Sequence, residues 1–346
     1  MSNLGDVTGD IEQSSRVRFP GISPRAYEHP ADRGALAVLR AVPAVAPIIK
    51  AVAAAFSERG ERLIQVASSV RVGPKQYPQL DRIRNEVAAT FDIEEPPELF
   101  VRRSPVVMGE TIGIDKPFIV LTTGMVDLFD PEMMRWVIGH ETGHAMSGHG
   151  LYNTILARLL NLQFALGWMP AGAFAMRAVI AALFEWQRKT ELSCDRAGLL
   201  ACQDPQAALR AHLAFAGDLG GQVDIAEFLA QAKEYEEVED IRDSVLKLLH
   251  TERRTHPMAV VRAAELQRWA ATEEYREILT GTYLRREDDR PANNLTDDVK
   301  AAARSYKESM TNSADPLIKT INDIGEAVMG AAGKVWSKVA PNGPAE

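Results

Sequence analysis

This sequence predicts a mainly helical α+β fold with a small β-sheet, in which one capped helix follows a short meander of strands. Three observations lead there. Apolar residues recur at helical spacing over most of the chain. Three short strand-like runs are confined to residues 98–122. Directly behind them, Asp130-Pro131-Glu132 supplies a helix N-cap, a proline at the first helical position and an acid in the first turn.

The elements follow in order. Residues 1–30 read as an irregular arm, broken by Pro20, Gly21, Pro24 and Pro30. Ala35 to Phe56 is apolar, but Arg40, Pro43, Pro47 and Lys50 interrupt it, so two short kinked helices fit better than a membrane span. Helical patterns run over 57–72 and 77–92; in the second, Leu80, Ile83, Val87 and Phe91 mark one apolar face. Glu94-Glu95-Pro96-Pro97 is a break. Strands are expected over Glu98–Arg102, Met108–Ile114 and Phe118–Thr122, with Asp115-Lys116-Pro117 turning between the last two. The capped helix carries Met133, Met134, Val137 and Ile138 at helical spacing, and Gly148 and Gly150 read as its stop signals.

Leu159 to Met176 is an uncharged run of 18 residues, broken by Trp168-Met169-Pro170-Ala171-Gly172. Residues 151–184 therefore read as a helical hairpin whose arms are too short to cross about 30 Å of hydrocarbon. It is either a pair of buried helices, a cover for a cleft or a peripheral membrane contact. From Asp204-Pro205 onward the pattern is helical, with Lys233 to Asp240 as a solvated charged face. Residues 286–346 read as a linker and a weakly amphipathic tail. That leaves 31–285 as one domain.

Chemistry enters at His140-Glu141-Thr142-Gly143-His144, an H-E-x-x-H pattern on the capped helix. Residues four apart lie on one helix face, so both imidazoles can meet a single ion. Glu141 is rotated roughly 100° from His140 and can reach a water beside that ion without ligating it. Some forty-five residues on, Glu191 and Asp195 are again four apart on a helical pattern. The expected set is one zinc ion per chain held by His140, His144 and Glu191, with Glu141 as general base. Asp195 fixes the tautomer of a ligand histidine. His256, ahead of Pro257, is either a donor to a developing oxyanion or a helix-start or core histidine. Arg262 either orients His256 or pairs with an acid. His149 reads as a structural or supporting group rather than a ligand. Cys194 is a thiolate ligand or a small buried filler, the filler being favoured. His29, His212 and His250 have no constellation around them in sequence.

The chain has 346 residues, 46% of them hydrophobic, which suffices for a sizeable core. A net charge of −8 speaks against nucleic acid and against a polybasic membrane surface. Its two cysteines, Cys194 and Cys202, would stand about 12 Å apart on one helix, beyond disulfide reach. Reduced thiols and a cytoplasmic location follow, with no signal-peptide pattern at the start. The strand edge ahead of the H-E-x-x-H helix offers a place for an extended peptide to add, so a peptide or protein is the expected substrate.

The paired motifs and their flanks resemble the HtpX-like and CAAX-prenyl-endopeptidase-like zinc metallopeptidases. Carrying the resemblance are Phe118 to Met125 before the helix and Val137-Ile138-Gly139 ahead of His140. Arg188 followed by Glu191 and Asp195, and Thr255-His256-Pro257 with Arg262, complete it. It spans roughly residues 78–268. It implies a zincin-like fold, a zinc endopeptidase activity, and His256 at the oxyanion. Two departures stand out: Val107 to Thr111 replaces the family's Asn-Ala pair, and Cys194 replaces the alanine before the aspartate. A soluble branch fits the lack of firm spanning segments. A second function class is a zinc-stabilised binding or regulatory protein with little turnover; retention of Glu141 favours the enzyme.

Overall fold

The structure is a computed structural model that describes residues 16–33, 57–166, 170–218, 221–237 and 258–289. The helices expected over Ala35–Phe56, most of the tail, His250 and His256 lie outside the described residues.

Helix α1 (Glu58–Ser68) starts at Ser57, whose hydroxyl accepts from the Gly60 amide. It stops short of the expected 72, because Val70–Arg71 leaves to form β1, paired antiparallel with Phe100 and Val101. Helix α2 (Pro78–Thr90) buries Leu80, Ile83 and Val87, as its periodicity requires. Strands β2 (Leu99–Arg102), β3 (Gly109–Ile112) and β4 (Phe118–Thr122) then complete a four-stranded mixed sheet in the order β1-β2-β4-β3.

That order corrects the expected meander. β2 runs parallel to β4, and β3 pairs antiparallel with the far side of β4. A meander would need a turn joining neighbouring β2 and β3. Instead the connecting residues 103–108 cross the end of β4 and are tied down there. Thr123 Oγ1 donates to the Ser104 carbonyl at 2.9 Å, and the Gly124 amide donates to the same carbonyl at 2.8 Å. The crossing is close enough that a Cβ on Gly124 would stand 2.4 Å from the Pro105 oxygen. β3 is thereby left at the sheet edge.

Helix α3 (Thr123–Leu128) leads into α4 (Pro131–Met146), which packs against the sheet. The predicted cap is present: Asp130 Oδ1 accepts from the amides of Glu132 and Met133, both at 2.9 Å. Gly148, at φ +68°, makes the corner after α4. Gly150 is not a stop signal, contrary to expectation. It lies in the first turn of α5 (His149–Leu166), where a Cβ would meet the Gly113 oxygen at 1.9 Å.

The hairpin consists of α5 and α6 (Pro170–Cys202), with its connection inside the uncharged run. α6 runs along α4 on a seam of small residues. A Cβ on Gly139 would stand 2.3 Å from the Ala201 methyl, one on Gly143 2.7 Å from the Ala197 methyl, and one on Gly198 2.8 Å from the Trp136 carbonyl oxygen. Helices α7 (Pro205–Ala216, capped by Asp204), α8 (Ile225–Glu237), α9 (Ala259–Ala270) and α10 (Glu273–Leu279) follow. Among the described residues, no helix is long and apolar enough to cross a membrane.

The N-terminal arm is less irregular than expected: it carries a short 3-10 helix, Pro24–Ala26, is helical again over residues 30–33, and is part of the core. Phe19, Ile22 and Tyr27 are buried in the main hydrophobic cluster. The arm pairs with the start of the predicted linker: the Ser23 amide donates to Leu284 O at 3.0 Å and the Arg286 amide to Gly21 O at 2.7 Å. Arg25 binds Asp289 at 2.7 Å.

Candidate active site

The seam between α4 and α6 sets the site. α4 presents His140 and His144 on one face, ring centroids 5.0 Å apart. α6 lays Glu191 opposite both. Its two carboxylate oxygens lie 3.5 Å from His140 Nε2 and 3.4 Å from His144 Nε2. All three donors are buried, and their ligand atoms lie within 4.8 Å of one another. Ligands of a tetrahedral zinc at about 2.0–2.1 Å stand roughly 3.4 Å apart, so this donor set fits such an ion in both type and spacing.

The two imidazoles sit in different electrostatic surroundings. Burial alone would depress His140, but its hydrogen bonds to Asp195 and Glu191 outweigh that and lift it to about 9. His144, with less carboxylate support, is pushed down by burial to about 4. Asp195 Oδ1 lies 3.0 Å from His140 Nδ1, the ring nitrogen away from Glu191. Burial pushes Asp195 up, yet the Arg262 guanidinium holds it well below the usual carboxylate range.

Arg262, from α9, settles between the two acids of α6. Its Nε donates to Asp195 Oδ2 at 2.8 Å, and its Nη1 stands 3.0 Å from Glu191 Oε2. Of the two readings of Arg262, pairing with acids is what the structure shows. His212 had no constellation in sequence. In the fold its Nε2 faces Asp195 Oδ2 at 3.4 Å, its Nδ1 is 2.8 Å from the Ala208 carbonyl, and its ring packs on Trp136.

The Glu141 carboxylate is held at the sheet edge, close enough to His140 and Glu191 to feel their charge. Thr111 of β3 donates its hydroxyl to Glu141 Oε2 at 2.7 Å. Gly109, two residues earlier on the same strand face, leaves room for the carboxylate: a Cβ there would stand 2.9 Å from Oε1. Burial raises the Glu141 carboxyl to about 7. Thr111 and Gly109 belong to the stretch that departs from the family's Asn-Ala pair. Their partnership with Glu141 was not visible in sequence, because it depends on β3 taking the edge.

Cys194 and His149 form a second group around His144. His149 Nδ1 stands 3.2 Å from His144 Nδ1 and 3.5 Å from Cys194 Sγ. Burial pushes the Cys194 thiol well above its ordinary value, which favours the neutral form while no cation is near; with His144 and His149 it also makes a second buried set of donor atoms close enough together to hold a metal ion. His149 Nε2 faces Asp32 Oδ2 of the arm at 3.4 Å.

Comparisons with known proteins agree with this geometry. Residues 74–270 match Peptidase family M48. The chain is 32% identical over 268 residues to a plastoglobule-localized metallopeptidase 48, chloroplastic, of Arabidopsis thaliana, covering 75% of this chain and 77% of that one. No solved structure matches. With the family match spanning more than half its length, and both metal-donor helices inside it, this chain belongs to Peptidase family M48.

Proposed function

We propose that this metallopeptidase is a zinc-dependent endopeptidase in which His140, His144 and Glu191 hold the ion and Glu141 is the general base. The observation that carries the reading is the placement of Glu141. It shares a helix with two imidazole donors, yet its carboxylate is held by Thr111 at the edge strand instead of joining the donor set.

When bound, zinc supplies a Lewis acid and lowers the pKa of water to about 7. The remaining work falls to the chain. An extended substrate pairs its backbone with the free edge of β3, which brings a peptide bond beside Glu141. The Glu141 carboxylate takes a proton from the attacking water and passes it to the leaving amide nitrogen. Thr111 orients that carboxylate through Oε2. Asp195 accepts from His140 Nδ1, which leaves Nε2 bare for the ion. Arg262 places its positive charge between the two buried acids of α6 and holds Asp195 ionised. The oxyanion role of His256 remains part of the proposal on the resemblance alone. The cytoplasm is the proposed site of action, because the free Cys194 and Cys202 suit a reducing compartment.

The test is cleavage of a quenched peptide library with and without chelator, alongside Glu141→Gln. Chelation should abolish cleavage and zinc should restore it. Glu141→Gln should keep stoichiometric zinc and lose about 10²–10⁴-fold in kcat. Near-normal turnover by this variant removes Glu141 as the base. Zinc binding without cleavage of any peptide by the wild type would favour the binding-protein reading.

A further inference from the structure

We propose that His149 and Asp32 are positioning residues for the metal ligand His144, so that the N-terminal arm completes the zinc site from outside the family-matched region. The inference rests on the reading above that His144 ligates through Nε2.

A neutral imidazole carries one N–H. If His144 Nε2, which faces Glu191, binds the ion, its proton sits on Nδ1. That nitrogen faces His149 Nδ1 at 3.2 Å. Only a bare His149 Nδ1 can accept the proton, and the same bare nitrogen is what a neutral Cys194 thiol faces at 3.5 Å, so His149 carries its own hydrogen on Nε2. Nε2 in turn faces the Asp32 carboxylate at 3.4 Å. The ligation of one atom therefore fixes the tautomers of two rings. The order also runs backwards. An anionic Asp32 favours the Nε2–H form of His149, which favours Nδ1–H on His144 and frees Nε2 for the ion.

The relay is built rather than incidental. Asp32 Oδ2 accepts from Ser193 Oγ at 2.6 Å, and Ser193 Oγ accepts from the His29 amide at 2.9 Å. Ser193 lies on α6 between Glu191 and Asp195, so the arm's acid is anchored to the helix that supplies the third ligand. Trp186 meets the His149 ring edge-on at 5.4 Å and fixes its plane. Asp32, His149 and His144 are 2, 3 and 4% exposed, so no solvent competes for these contacts. The two histidine ligands are thus served differently: His140 touches its carboxylate directly, whereas His144 reaches one through a second imidazole. Asp32 precedes residue 74, where the family match begins.

The test uses the full chain and zinc alone, with affinity measured by competition against a chromogenic chelator. His149→Phe leaves the His144 N–H without an acceptor and should weaken zinc binding by about 10–100-fold. His149→Asn places an amide oxygen near the former Nδ1 and should restore most of that loss, a rescue that mere packing would not give. Asp32→Ala should weaken zinc in the same direction. In zinc-loaded wild type, long-range ¹⁵N–¹H spectra of the histidine rings should show His149 as the Nε2–H tautomer, a readout that requires no variant to fold. His149 in the Nδ1–H form overturns the inference, as does wild-type zinc affinity in His149→Phe while His144→Ala loses the ion. Retention of zinc by His144→Ala would instead overturn the ligand assignment beneath it.

Discussion

Gly109→Ala isolates the position of Glu141 from everything else in the site. The added Cβ would stand 2.9 Å from Glu141 Oε1 and 3.2 Å from Leu121 Cδ2, where ordinary contact begins at 3.4 Å. The carboxylate is the far end of a flexible side chain, so it is the group that yields, by about half an ångström. That retreat stretches the 2.7 Å hydrogen bond from Thr111. A misplacement of about 1 Å at a reacting group costs on the order of 10²-fold, so half of that costs roughly tenfold, or about 1.4 kcal/mol of barrier. The backbone does not oppose the change: Gly109 is not among the residues with positive φ, and alanine in a strand is favoured over glycine by roughly 0.5–1 kcal/mol. The expected pattern is kcat/KM down about tenfold, zinc stoichiometry unchanged, and a Tm equal to or above wild type. The assays are peptide cleavage, metal analysis and calorimetry on one preparation. Wild-type kcat/KM in a zinc-loaded Gly109→Ala protein would refute the idea that the edge strand sets the base.

Three further outcomes are expected. Glu191→Ala should lose zinc by metal analysis; full retention would move the search for a third donor to the group around His149. Arg262→Met leaves the buried carboxylates of Asp195 and Glu191 uncompensated, so urea unfolding of the zinc-free protein should show a loss of about 3–5 kcal/mol, smaller once zinc supplies positive charge. His29 is held neutral, lowered by burial first and by Arg196 and Lys189 next, to about 3 from 6.5. A histidine depressed on folding contributes stability that is complete above 6.5 and drains away as pH falls toward 3. Wild type should therefore lose about 1.4 kcal/mol per pH unit across that window relative to His29→Gln. Parallel stability–pH curves for the two would show that the arm does not keep this ring neutral.

What the sequence made legible was local. The Asp130-Pro131 cap, the helix behind it and the span of β4 could be read from neighbours in the chain, and the structure places each where its cap or pattern indicates. Where a segment's fate hung on a distant partner, reading failed. Val70–Arg71 continued a helical pattern but pairs with β2. The strand order escaped because the crossing over β4 depends on Thr122, Thr123 and Gly124, residues that look like a simple strand end. In the site, His140, His144 and Glu191 announced themselves by spacing on two helices, and the fold brings the three together as a group that could hold a metal ion. Most of the surrounding groups did not announce themselves: Arg262 was legible as a residue that could pair with an acid, but His212, Thr111 and Asp32 reach the cluster from three other segments, and nothing in the spacing of those segments says that they meet.

The seam of Gly139, Gly143, Gly198 and their alanine neighbours also has a bearing on ion choice. Backbones in contact across it leave no slack for Glu191 to approach or retreat from the two imidazoles. The aperture between the three donors is therefore set by residues that never touch a cation. A methyl group at Gly143 would wedge the helices apart and enlarge that aperture, and a wider cage discriminates in favour of larger ionic radii such as that of cadmium. On the proposed ligand set, selectivity among metals would in this sense be encoded in the absence of side chains one layer behind the three donors.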